Sequence, residues 1–146
     1  MEDIYEEGNV PFEMDQATVL SEGADIAIIA CGEMVPYALE AARILEKDGI
    51  RVGVVDMYCL KPLDEEAVLQ YASRVKCLIT VEEHSVYGGL GSMVAAVTAE
   101  KHPIKVKKIA LPDGHLIPGS NTELFAYYGM DGAGIAETVK KTLTEG

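Results

Sequence analysis

The chain has 146 residues, 49% hydrophobic and 25% charged, which fits one globular domain with a full core. Its 24 acidic residues against 12 basic ones leave a net charge of −12, which argues against a nucleic-acid partner; the one local basic run, Lys105 to Lys108, alternates as a strand does. No apolar run approaches membrane-spanning length, the acidic start MEDIYEEGN lacks the basic-then-apolar layout of a secretion signal, and Cys31, Cys59 and Cys77 are odd in number and lie in or beside apolar strands, so the expectation is a reduced, cytoplasmic protein with no membrane contact.

Residues 1–20 read as an N-terminal arm: the first nine are polar and acidic, Pro11 stops any helix, and Ala17 to Leu20 is a short strand candidate. The domain proper is expected over 21–146. Ala24 to Ala30 is a buried strand, and Cys31-Gly32-Glu33 turns the chain into a helix from Val35 to Lys47. Val35, Ala38, Leu39, Ala42 and Leu45 make its apolar face, Pro36 suits its first turn, and Gly49 is its natural C-terminal cap. Ile50 to Met57 is the next strand, and strand, helix, strand with short joins is a right-handed parallel crossover.

A second helix starts near Asp64, which can cap it, with Glu65 and Glu66 at its positive end and Val68, Leu69, Ala72 and Val75 on its buried face. Cys77 to Val81 is a short apolar run read as a buried parallel strand. Glu82-Glu83-His84 follow it, then Gly88-Gly89-Leu90-Gly91-Ser92 turn into an alanine-rich helix from Gly89 to Lys101. Ile104 to Leu111 is a fourth strand. Ser120 to Glu123 has the spacing of a capping box for a short helix through Tyr128, and a last helix runs from Ala133 to Thr144. The architecture expected is a three-layer α/β domain with a mostly parallel sheet, helices on both faces and one strand antiparallel.

The polar stretch after Val81 falls where an open α/β sheet meets ligands or partners, at the carboxyl end of a strand. Its glycine turn is not G-x-G-x-x-G, since position 93 is Met, and no phosphate-loop lysine follows. Glu82 and Glu83 would repel an anion there, so a structural turn outweighs a phosphate cradle. Glu82, Glu83 and His84 are adjacent on extended chain and point to alternating faces, so spacing alone makes no acid/base pair. The three histidines are dispersed, and neither H-E-x-x-H, C-x-x-C nor G-x-S-x-G occurs. Cys31 reads as a packing residue. Leu124, Phe125, Tyr127 and Tyr128 form an aromatic knot suited either to an interface or to closing the core. No catalytic, cofactor-binding or metal-ligating residue is assigned.

Several stretches in order carry a resemblance: D-I-A-I-I-A-C-G, V-G-V-V-D-M-Y-C-L-K-P-L-D, L-I-T-V-E-E-H, G-G-L-G-S, then P-D-G-H-L-I-P-G-S and Y-G-M-D-G-A-G-I. Over roughly residues 10 to 144 the chain resembles the C-terminal domain of the transketolase family, whose relatives include deoxyxylulose-phosphate synthase and 2-oxo-acid dehydrogenase β subunits. D-I-Y-E-E-G-N looks most like the C-terminal subunit of a split transketolase. The resemblance implies a parent enzyme that transfers ketol groups with thiamine diphosphate and magnesium, held by two other domains. Their G-D-G…N signature is absent here: Asp48-Gly49, Asp113-Gly114 and Asp131-Gly132 occur, none of them preceded by glycine. The chain is then expected to hold no cofactor of its own. It would serve assembly with other domains or subunits and a homodimer mate, with Glu82, Glu83, His84, Gly88, Gly89, Gly91 and Ser92 as candidate interface or channel-rim residues. The competing readings are a stand-alone docking or regulatory module for a protein partner, and a small enzyme acting on a phosphorylated ligand at the same strand end.

Overall fold

The computed structural model describes residues 18–21, 25–57, 64–83, 89–110 and 125–145, with only the backbone described for 18–21 and residue 33. Five strands form one sheet: β1 (Thr18–Ser21), β2 (Ile26–Ala30), β3 (Val52–Asp56), β4 (Cys77–Val81) and β5 (Lys105–Ile109). Their order across the sheet is β1-β3-β2-β4-β5. β3, β2, β4 and β5 are mutually parallel, whereas β1 pairs antiparallel with β3 and carries a bulge between Val19 and Ser21. The mostly parallel sheet with one antiparallel strand is the one the sequence predicts, and that antiparallel strand draws on Thr18 to Leu20 of the expected arm.

Every residue of β2, β3 and β4 is buried, so these strands read as unbroken apolar runs rather than alternating ones. β5 lies at an edge of the sheet and alternates instead, with Lys105 and Lys107 exposed. α1 (Val35–Lys47) and α4 (Gly132–Thr144) cover one face. α2 (Glu65–Ala72) and α3 (Leu90–Lys101) cover the other. Ile28, Ile79 and Val54 point into the first layer with Leu45, Ile135 and Val139. Ala27, Ile29, Leu78 and Val55 point into the second with Val68, Leu90 and Val94. Alternation of side chains across each strand produces both cores from the same short runs.

Helix boundaries follow local chemistry. Asp64 accepts a hydrogen bond from the Ala67 N–H at 3.0 Å, as its position before Glu65 predicts. Asp131 does the same for Gly134 at 2.9 Å. α1 ends in a Schellman motif: Gly49 has φ +78°, its N–H donates to Glu46 O at 3.0 Å, and the Ile50 N–H donates to Leu45 O at 3.0 Å. α1 starts at Val35 as the sequence predicts, but its inner face differs from the sequence reading. A 3₁₀ turn, Gly32–Met34, precedes the helix, and Ala41 rather than Leu39 lies fully inside the core. In α2, Tyr71 is buried, and Leu69 is only half-buried. Tyr71 uses its length to reach the sheet while the Arg74 guanidinium stacks on its ring, 4.8 Å from the centroid.

Of the aromatic knot, Phe125 is buried and meets Tyr37 edge-on, ring centroids 5.3 Å apart. Tyr128 packs against the same core, and Tyr127 stands 68% exposed. The expected capping box at Ser120 to Glu123, together with Leu124, lies outside the described residues; a single helical turn occupies 125–127.

Ile79 is fully buried in the inner strand β4 and packs among side chains from α1 and α4. Ile79→Ala should therefore lower unfolding free energy by about 2–5 kcal/mol, read as a shifted denaturation midpoint with an unchanged m-value.

Candidate functional site

The sheet reverses direction between β2 and β4. β2 leads through α1, on one face, to its neighbour β3; β4, its other neighbour, leads through α3 on the opposite face to β5. The carboxyl ends of β2 and β4 thus flank a topological switch point, the place where such sheets open a crevice. Cys31 follows β2 there, Asp56 ends β3, and Glu82 and Glu83 follow β4. Backbone bonds pin these ends in register: Cys31 N–H to Val81 O at 3.3 Å, Met57 N–H to Ala30 O at 2.9 Å, and Glu82 N–H to Ile109 O at 3.1 Å.

Glu82 is 2% exposed, an unusual place for a carboxylate. It accepts hydrogen bonds from the first two N–H groups of α3. Its Oε1 receives the Leu90 N–H at 2.9 Å and its Oε2 the Gly91 N–H at 2.7 Å. Those donors have no partner inside the helix, and the helix N-terminus carries partial positive charge, so backbone groups satisfy the buried anion. This is an N-terminal cap delivered from the preceding strand, eight residues away, in place of a local Ser or Asp.

The glycines serve this contact. Gly89 has φ −112°, a conformation open to any residue, but a Cβ there would overlap Glu82 Oε1. Gly91 is buried, and a Cβ on it would come within 2.8 Å of both Thr80 Oγ1 and Lys108 Cγ. Both positions need glycine for room, not for torsional freedom. At both positions glycine makes room for packing, and the anion position at the α3 N-terminus is filled by the chain's own carboxylate.

Around this cap the strand ends are acidic. Burial first, then the charges of Glu82, Asp56 and Glu83, push the half-buried Cys31 thiol up to about 11. Cys31 is thus a protonated packing group and a poor nucleophile at neutral pH. Cys77 is buried in β4, and burial raises its thiol as well. Both are free, while Cys59 lies outside the described residues. On the far side of the turn, Lys108 lays its stem over Gly91, and its Nζ lies 3.4 Å from Ser92 Oγ. Thr80 Oγ1, fully enclosed beneath Gly91, has no hydrogen-bond partner among the described residues.

Of the site residues named from the sequence, the fold brings Glu82, Gly89, Gly91 and Ser92 together at the start of α3 and leaves Glu83 half-buried beside them. His84 and Gly88 lie outside the described residues. Glu82 and Glu83 diverge as alternation predicts, one enclosed and one at the rim. Asp56, Thr80 and Lys108 were missed. The acid closing V-G-V-V-D was a visible signal for Asp56, but the contact of Lys108 with Ser92 bridges 16 residues and two elements. No group of three or more His, Cys, Asp or Glu among the described residues is arranged to hold a metal ion. Since Glu82 also occupies the glycine-opened helix start at the switch point, the described residues do not fit a magnesium diphosphate. No helix among them is long and apolar enough to cross a membrane.

The strand order and the helices on both faces define a doubly wound, three-layer α/β domain with its polar groups gathered at the carboxyl ends of the strands. The family described as transketolase, C-terminal domain, matches residues 15–135, and the chain belongs to it. It is 41% identical over 136 residues to one subunit of the apulose-4-phosphate transketolase of Phocaeicola vulgatus, covering 93% of this chain and 43% of that one. It is 40% identical over 142 residues to a putative transketolase C-terminal section of Methanocaldococcus jannaschii, covering 96% and 44%. With the 1-deoxy-D-xylulose-5-phosphate synthase 1 of Geobacter sulfurreducens it shares 43% identity over 127 residues, 86% of this chain and 20% of that one. A solved structure described as a split gene transketolase, inactive beta4 tetramer, superposes with a TM-score of 0.87 at 41% identity, covering 98% of this chain and 46% of that one. The chain thus spans less than half the length of these relatives.

Three outcomes follow from the geometry. Gly89→Ala should cost about 2–4 kcal/mol by displacing the Glu82 carboxylate. In a double-mutant cycle with Glu82→Ala the two losses should fall short of additive by at least ~1 kcal/mol, measured by chemical denaturation. Thr80→Val should stabilise the chain by about 1 kcal/mol, because it removes a buried hydroxyl that has no partner among the described residues, and a raised Tm would report it. For Cys31, a pKa about two units above the ordinary 9.0 predicts alkylation roughly a hundredfold slower than that of a free thiol near pH 7.5, followed site by site by mass spectrometry. The folded state holds this proton more tightly than the unfolded state, so the associated stability is full below pH 9 and is lost as pH rises towards about 11.

Proposed function

We propose that this chain is the C-terminal domain or section of a transketolase-like, thiamine-diphosphate-dependent ketol transferase, cytoplasmic and dimeric, in which it serves assembly and the rim of the substrate channel. Thiamine diphosphate and magnesium sit on the parent enzyme's other domains, and this domain supplies no ligand to them. Residues 1–20 form an N-terminal arm whose Thr18 to Leu20 join the sheet in β1, and 21–146 form the rest of the domain. The stretch that holds Glu82, Glu83, His84, Gly88, Gly89, Gly91 and Ser92 lies at the domain or dimer contact, with Glu82 and Gly91 supporting it from inside and Glu83 at its edge.

The observation that carries this reading is the match to the Phocaeicola vulgatus transketolase subunit, at 41% identity across 93% of this chain but only 43% of that subunit. The site adds a physical reason. A catalytic carboxylate needs an unsatisfied position facing substrate, and Glu82 has both oxygens committed to backbone N–H groups of α3. What its cap offers instead is a rigid, acidic strand end, the kind of element that fixes how one domain meets the next.

The test is to follow the gene product in its own cells with an antibody against this domain and to purify what accompanies it. The expected result is either a band of about twice this chain's length or more, or a shorter band that copurifies with thiamine-diphosphate-binding subunits, and in both cases ketol-transfer activity in the purified assembly. A band of this chain's own size, alone or with partners that bind no thiamine diphosphate, would overturn the proposal in favour of a docking module. Calorimetric titration of this chain with sugar phosphates should be flat; saturable heat would favour a small independent enzyme instead. Within the assembly, Glu83→Lys should weaken subunit or domain association by roughly tenfold. Unchanged association and activity would remove the strand end from the interface.

A further inference from the structure

We draw no further inference here: the strongest candidate, the acidic cluster of Asp56, Glu82 and Glu83 around the Cys31 thiol at the carboxyl ends of β2, β3 and β4, belongs to the site already described, and its buried carboxylate is engaged in capping α3.

Discussion

The bond between the Glu82 carboxylate and the first N–H groups of α3 is the constraint on which the middle of the domain depends. It ties the end of an inner strand to the start of the helix that crosses to β5. A buried carboxylate is costly to desolvate, and here two short hydrogen bonds and the dipole of a 12-residue helix offset that cost. Because the anion comes from the strand and not from the turn, the turn must leave space for it. Glycine at 89 provides that space, and glycine at 91 lets the helix settle onto Thr80 and Lys108.

The same arrangement occupies the helix start at this strand end. Switch points in parallel sheets are natural ligand sites because helix N-termini and loop ends converge there. In this domain the first two N–H donors of α3 are already paired, and the thiol at the neighbouring strand end is held protonated by burial and by Glu82, Asp56 and Glu83. A glycine-rich turn opening a helix is compatible with phosphate binding or with close packing. The position of one carboxylate separates the two.

Much of the fold was legible in the chain. The runs IAIIA, VGVVD and CLITV are almost wholly apolar because both faces of their strands are covered, and that uniformity distinguishes a parallel interior from an exposed sheet. Asp64 before two glutamates marked a helix start, and Gly49 marked a helix end; each works through bonds within a few residues. Leu39 and Leu69 were less legible. Periodicity puts them on the buried face, but the sheet leaves them only partly covered while Ala41 and Tyr71 take the inner positions. Size and exact facing are set by the partner surface, which a single helix does not encode.

By itself the sequence determined the fold class, the alternation of strands and helices, the caps and the absence of a metal or nucleophile motif, because these follow from periodicity and from interactions between near neighbours. It also placed Glu82 and the glycines in one stretch. Only the tertiary structure decided what they do. Whether Glu82 faces solvent, a ligand or a helix depends on β4 lying beside β2 and on α3 folding back across that sheet. Those are contacts between segments far apart in the chain, and they make Glu82 a cap.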